Sequence, residues 1–335
     1  MCCEKEVFLS STMDFILLMQ ERFGVVFREH ELLAKHLNIR IGGPARFFVE
    51  VKTEQDVLDA MRIARQNDVA YFVLGGGSNT LAADEGWNGL VIKMTNRNLV
   101  IDGTKVVADA GVISALVARK TAELGLKGFA WAISLPGTMG GAVRGNAGCF
   151  GGEMKDTVTS VRVIRDGAIV EIPARELRFG YRHSIFKDVD HAGDVIFSVT
   201  MELVQDSKEE QMALLEKYLA SRKSSQPLGS SSAGCMFKNF NFTDKTDIER
   251  IVTDSEVPES MLTQHRIAAG WIIEQLGLKG LQVGDAQVSD VHGNFLLNKG
   301  HATAKDIAML IGRIKVAARE KYGIELQEEV QFLGL

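Results

Sequence analysis

The chain has 335 residues, 46% of them hydrophobic and 24% charged, with a formal net charge of −5. That length exceeds one small core and sets an expectation of two or three domains. The acidic balance argues against a nucleic-acid-binding surface, and no apolar run is long enough for a transmembrane helix.

Residues 1–35 read as a lead segment, an entry helix or loose arm peripheral to the chemistry. The early acids of MCCEKEVF and the lack of a small-residue cleavage site speak against a signal peptide. Cys2, Cys3, Cys149 and Cys235 contain no CxxC and suggest no disulfide framework, so a cytoplasmic protein is expected, with Cys2 and Cys3 an exposed tail feature. Asn38–Val51 reads as a strand, a Gly-Gly-Pro turn and a second strand. Thr53 then caps a helix whose apolar face is Val57, Leu58, Met61 and Ala64. Tyr71–Leu74 and Leu90–Met94 are short apolar strands, closing a first α/β unit over 36–95.

Residues 96–205 form a second α/β unit, richer in strands. It holds a strand at Lys105–Ala108, a helix over Ser114–Leu124 stopped by Gly125, and a hairpin over Val158–Ile172 turned by Asp166-Gly167, then a strand at Val195–Leu203. Glu209–Arg222 is a polar-faced helix, and Ser224–Gly234 a Ser/Gly-rich loop. Strands within Val283–Leu297 and helices over Ala268–Leu276 and Thr303–Tyr322 complete a third domain, 206–335.

Two glycine runs stand out. Ser134–Gly152 (SLPGTMGGAVRGNAGCFGG) carries a single charged residue, Arg144, and its composition suits neither a helix nor a strand interior. Gly75-Gly76-Gly77-Ser78-Asn79 directly follows a strand. Backbone amides without Cβ shielding can converge on a phosphate. Two such loops far apart in sequence suit an extended phosphate-bearing ligand, a dinucleotide such as FAD, although each alone reads equally well as a tight turn.

Three further positions could carry chemistry. Arg182, in Phe179–Ser184, has the planar fork that binds a carboxylate, or is a surface arginine beside an aromatic. Cys235 follows Ala233-Gly234 and precedes Lys238-Asn239. A thiol there is a nucleophile if a cation lowers its pKa and an acid if its surroundings are apolar. Glu329 lies in an alternating C-terminal run, facing a pocket or solvent. His292 has no neighbours at metal-ligand spacing, so no metal is expected, and Walker A, GxSxG and GxGxxG patterns are absent.

Taken in order, IRIGGPA at 39–45, LGGGSN at 74–79, PGTMGGAVRGNAG at 136–148, FGYRHS at 179–184, SAGCMFKN at 232–239, AGWIIEQLGLKG at 269–280 and EEVQFLG at 328–334 resemble the UDP-N-acetylenolpyruvoylglucosamine reductase family, in its second type. The resemblance runs from about His36 to Gly334. It implies an α+β fold, with a para-cresol-methylhydroxylase-type FAD-binding domain of two α/β subdomains and a C-terminal α+β substrate-binding domain. It implies non-covalent FAD, NADPH as hydride donor, and UDP-N-acetylglucosamine enolpyruvate as substrate; a monomer is expected because nothing in the sequence demands an oligomer. By motif, Gly75, Gly76, Gly77, Ser78, Asn79, Pro136, Gly137, Thr138, Gly140, Gly141, Ala142, Asn146 and Gly148 are expected at the cofactor. Arg182 matches the arginine that holds the enolpyruvyl carboxylate, and Glu329 the glutamate that assists it. Cys235 stands where the family usually has a proton-donating serine. Tyr181, Lys238, Asn239 and Gln287 are expected near the substrate, and Arg144 is a further candidate by charge. Phe240 and Glu328 replace common prolines. A hydroxy-acid or alcohol oxidase on the same flavin domain, and a non-catalytic nucleotide-binding protein, are the alternatives.

Overall fold

The computed structural model describes residues 2–227 and 229–335, with side chains described for all of these except 2–11 and 245; the Cys2 and Cys3 side chains therefore lie outside the described residues. The chain divides into two compact units. The first comprises 1–31, 44–76 and 88–221, the second 32–43, 77–87 and 222–335. This partition departs from the sequence-based one: the late boundary falls at 221/222 rather than 205/206, and two short segments from the N-terminal third belong with the C-terminal part.

The first unit holds two sheets over one continuous apolar core. One sheet runs in the order Phe27–Leu32, Pro44–Val51, Trp87–Met94, Tyr71–Leu74, its last pair parallel. The other is antiparallel, in the order Ala168–Pro173, Val158–Arg165, Val195–Glu202, Lys105–Asp109, Leu99–Asp102. Thr53 closes the expected cap reciprocally. Its Oγ1 accepts from the Asp56 amide at 3.1 Å and its own amide donates to the Asp56 carboxylate at 3.0 Å. Such a box stabilises a helix by about 1 kcal/mol. Asp166 and Gly167 both take positive φ and turn the hairpin as read.

The lead segment is not loose. It is a helix, Cys2–Phe23, whose Phe15 and Met19 are fully buried. Phe15 packs on Phe27 and Phe47 with ring centroids 6.2 and 4.6 Å away. The helix is therefore part of the core, and burying one such ring contributes about 1.5–3 kcal/mol. The first strand expected in Asn38–Val51 does not form. Arg40 (φ 57°) and Gly42 (φ 139°) turn the backbone out of any ladder, although Ile39 and Ile41 are both buried.

In the second unit a sheet runs in the order Ser231–Cys235, Phe295–Asn298, Ala286–Val288, Gln282–Val283. The helix Ala304–Tyr322 starts on a Thr303–Asp306 capping box and stops at left-handed Gly323. Gln331–Leu333 pairs in parallel with Thr80–Ala82. Among the described residues, no helix is long and apolar enough to cross a membrane.

Candidate functional site

Within the first unit the two glycine runs meet. A Cβ on Gly76 would lie 2.7 Å from the Gly137 Cα, and one on Gly75 would lie 2.7 Å from Thr138 Oγ1. Only glycine permits that approach. The amides of Gly76, Gly137, Thr138 and Gly141 donate to no partner among the described residues. Thr138 Oγ1, in a side chain 5% exposed, is likewise without one. Buried polar groups are nearly always paired. Unpaired donors on two adjoining glycine loops suit the anionic diphosphate of a dinucleotide. The residues present thus fit FAD.

The same stretch is not all loop, contrary to what its composition suggests. Met139–Arg144 is a short helix, allowed because Gly140 packs directly on Ala110. Its amide donates to the Ala110 carbonyl at 2.9 Å, and a Cβ there would come within 2.8 Å of the Ala110 Cβ. Gly140 and buried Ala142 therefore seat the helix, while the cradle is formed by Gly76, Gly137, Thr138 and Gly141.

Past the helix the run is stitched to the FGYR turn. Asn146, 1% exposed, donates from Nδ2 to Glu153 Oε2 (2.7 Å) and to the Gly180 carbonyl (2.9 Å), and its Oδ1 accepts from the Lys155 amide. Its side chain is thus committed to protein partners. Ser184 Oγ donates to the Arg144 carbonyl at 2.8 Å. Arg182 sits at φ 54°, a left-handed conformation uncommon outside glycine. Its Nη1 donates to the Gly148 carbonyl at 3.1 Å, its guanidinium lies 5.8 Å from the centre of the Tyr181 ring, and its own carbonyl accepts from Lys187 Nζ at 2.8 Å. Burial lowers the pKa of the Arg144 guanidinium, which makes no ion pair among the described residues.

The second unit organises the other candidates. Cys235 is a half-buried thiol, in no disulfide, at the end of a strand, opposite Phe295, rather than on the flexible turn its Ala-Gly context suggests. The next residues are held from both sides. The Met236 amide donates to the Asn294 carbonyl, and the Asn294 side chain accepts from the Phe237 amide and donates to the Phe237 carbonyl, both at 2.8 Å. On the other side the Glu329 amide donates to the Met236 carbonyl at 2.8 Å, and the Lys238 amide to the Gln327 carbonyl at 2.8 Å. Asn79 Nδ2 donates to the Glu329 carbonyl at 3.1 Å. Gly234 faces the Ser78 carbonyl 3.8 Å from its would-be Cβ. Ser78, Asn79, Cys235, Lys238 and Glu329 are thereby drawn together. Asn239 Oδ1 accepts from the Ala269 amide at the start of the Ala269–Gln275 helix. Gln287 lies opposite Leu297, which pairs on its other side with Ser232. Glu328 is tied to Lys315 at 2.7 Å.

Two residues escape sequence reasoning. Lys93 donates from Nζ to the Gly75 carbonyl at 2.5 Å, and burial, reinforced by Arg97, lowers its pKa to about 8. A lysine inside the apolar run Leu90–Met94 was the available signal. Asn294 is 2% exposed and clamps the thiol strand. Beside it, His292 Nδ1 accepts from the Asn294 amide at 3.2 Å, and burial lowers the histidine's pKa.

A dinucleotide cradle in a two-sheet α/β unit, followed by a separate α+β unit, defines an FAD-dependent oxidoreductase. The family model described as "FAD binding domain" matches residues 45–172, and the one described as "UDP-N-acetylenolpyruvoylglucosamine reductase, C-terminal domain" matches 226–333. The chain is 36% identical over 307 residues to UDP-N-acetylenolpyruvoylglucosamine reductase of Clostridioides difficile (strain 630), covering 91% of this chain and 92% of that protein. It is 36% identical over 306 residues to the protein of the same name from Trichlorobacter lovleyi, with 91% and 92% covered. The crystal structure of the Thermus caldophilus reductase superposes with a TM-score of 0.73 at 33% identity, covering 92% of this chain and 99% of that one. The chain belongs to the UDP-N-acetylenolpyruvoylglucosamine reductase family.

Proposed function

We propose that this protein reduces UDP-N-acetylglucosamine enolpyruvate to UDP-N-acetylmuramate with electrons from NADPH, a step of peptidoglycan precursor synthesis, acting as a cytoplasmic monomer. FAD, bound non-covalently by Gly76, Gly137, Thr138 and Gly141, supplies hydride chemistry. Arg182 holds the enolpyruvyl carboxylate through two parallel hydrogen bonds, and its fixed charge stabilises the negative charge that builds next to that carboxylate. Glu329 assists in orienting the carboxylate. The Cys235 thiol delivers a proton to the α-carbon, the role a serine hydroxyl usually fills at this position. Tyr181, Lys238, Asn239 and Gln287 contribute to substrate binding.

The observation that carries this reading is Arg182. A non-glycine residue at φ 54°, anchored at both its guanidinium and its carbonyl, is the kind of strained position kept for positioning a functional group. The test is anaerobic: NADPH bleaches the bound flavin, and the enolpyruvyl substrate then restores its colour. Reoxidation by oxygen alone would favour the oxidase alternative. A colourless protein that takes up no FAD would remove the reading.

A further inference from the structure

We propose that Lys93 is a positioning residue for the cofactor: it fixes the Gly75–Gly76 peptide so that its amide faces the bound diphosphate, and it supplies a positive charge behind that peptide. The inference rests on FAD being the group the cradle holds.

The geometry is local to the first unit. Lys93 pairs with Leu74 in the parallel ladder, so its side chain emerges at the point where the Tyr71–Leu74 strand gives way to the glycine run. Nζ donates to the Gly75 carbonyl at 2.5 Å. In a trans peptide the C=O and N–H point in opposite directions, and the described residues contain no cis peptide. Holding the Gly75 oxygen on the lysine side therefore turns the Gly76 N–H to the opposite side. That N–H has no partner among the described residues, and Gly76 abuts Gly137 in the cradle. A glycine peptide left alone flips readily, because either orientation is sterically open to it. Lys93 removes that freedom.

The charge matters as well. On the neighbouring strand Glu50 acts on Lys93 favourably, but Arg28 already engages the Glu50 carboxylate. Arg97, just past the strand, opposes the lysine's charge. The strand Tyr71–Leu74 adds only Tyr71, whose hydroxyl is committed to Gly193 and Arg65, and the glycine run adds no ionisable group. With its pKa lowered to about 8, Lys93 loses its proton in mildly alkaline solution unless an anion binds. An anionic ligand favours the charged form, so FAD binding raises that pKa and takes up protons above neutrality.

The test measures FAD affinity of the full-length chain by flavin fluorescence quenching, from neutral pH to well above 8, with proton uptake read from the buffer dependence of the binding enthalpy. Wild-type affinity is expected to fall as pH rises through the lysine's range. Lys93→Arg is expected to keep the affinity and lose the alkaline decline. Lys93→Gln is expected to bind about ten- to a hundredfold more weakly, with no proton uptake. If Lys93→Gln binds as tightly as wild type, or keeps its pH dependence, the inference is overturned. Should that variant fail to fold, Lys93→Arg decides, since retention of the wild-type decline would overturn the inference equally. A wild-type chain that takes up no FAD would overturn the cofactor reading and this inference together.

Discussion

The cradle of the first unit and the thiol strand of the second solve opposite problems. At Gly76, Gly137, Thr138 and Gly141 the proposed working groups are backbone amides, and the sequence contributes chiefly by leaving side chains out. At Cys235 the proposed working group is a side chain, and the backbone just after it, Met236–Lys238, is fixed by Asn294 on one side and by Gln327 and Glu329 on the other. The first site is specified by what fits between two backbones, the second by hydrogen bonds to residues distant in the chain. Substitutions in the first should therefore act on cofactor retention, and in the second on turnover with cofactor retained.

The largest expected effect tests that division directly. Cys235→Ala should lower turnover on the order of a hundred- to a thousandfold while the flavin absorbance is unchanged, and Cys235→Ser should remain active. Steady-state rates beside the visible spectrum decide it, and a near-wild-type alanine variant would remove the proton-donor role. Next is Gly76→Ala. Its new methyl would sit 2.7 Å from the Gly137 Cα, so the loops must part; FAD affinity should drop more than about tenfold, and the apoprotein should melt a few degrees lower as well. Fluorescence titration and thermal melting separate the two.

Asn294→Ala sharpens the comparison from the other side. It leaves the Phe237 amide and carbonyl without their partner in a buried segment just past the strand, a loss of about 1–3 kcal/mol per unsatisfied group. Denaturant unfolding should show it, together with a fall in kcat at unchanged FAD content. The smallest effect is one of pH. His292 is half-buried, and that desolvation lowers its pKa from the usual 6.5, so the unfolded chain binds the extra proton first. Stability should fall as pH drops below about 6.5 and be flat above it. Replacing His292 with Gln should remove that slope, measured as melting temperature against pH.

Local signals were legible. Thr53 with Asp56, Thr303 with Asp306, the Asp166-Gly167 turn and the meeting of the glycine runs all follow from short-range chemistry or from a shortage of Cβ atoms. The ordered motifs pointed to the family. What stayed hidden depends on partners far along the chain. The role of Phe15 needs Phe27 and Phe47, and that of Asn294 needs Phe237. The buried, alternating Ile39 and Ile41 imitate a strand, but left-handed Arg40 between them breaks it, and alternation alone does not reveal that turn. The short helix within the glycine stretch likewise depends on Ala110.

The interleaving of the two units has a consequence for modularity. The strand Thr80–Ala82, which pairs with Gln331–Leu333, is threaded between segments of the first unit, as is 32–43. No single cut releases the C-terminal unit whole. A shuffling event at 221/222 would pass on a unit lacking one strand of that pair, and during synthesis the pair can close only after about 250 further residues have followed Thr80–Ala82. Inheritance and assembly thus treat the two units as one object.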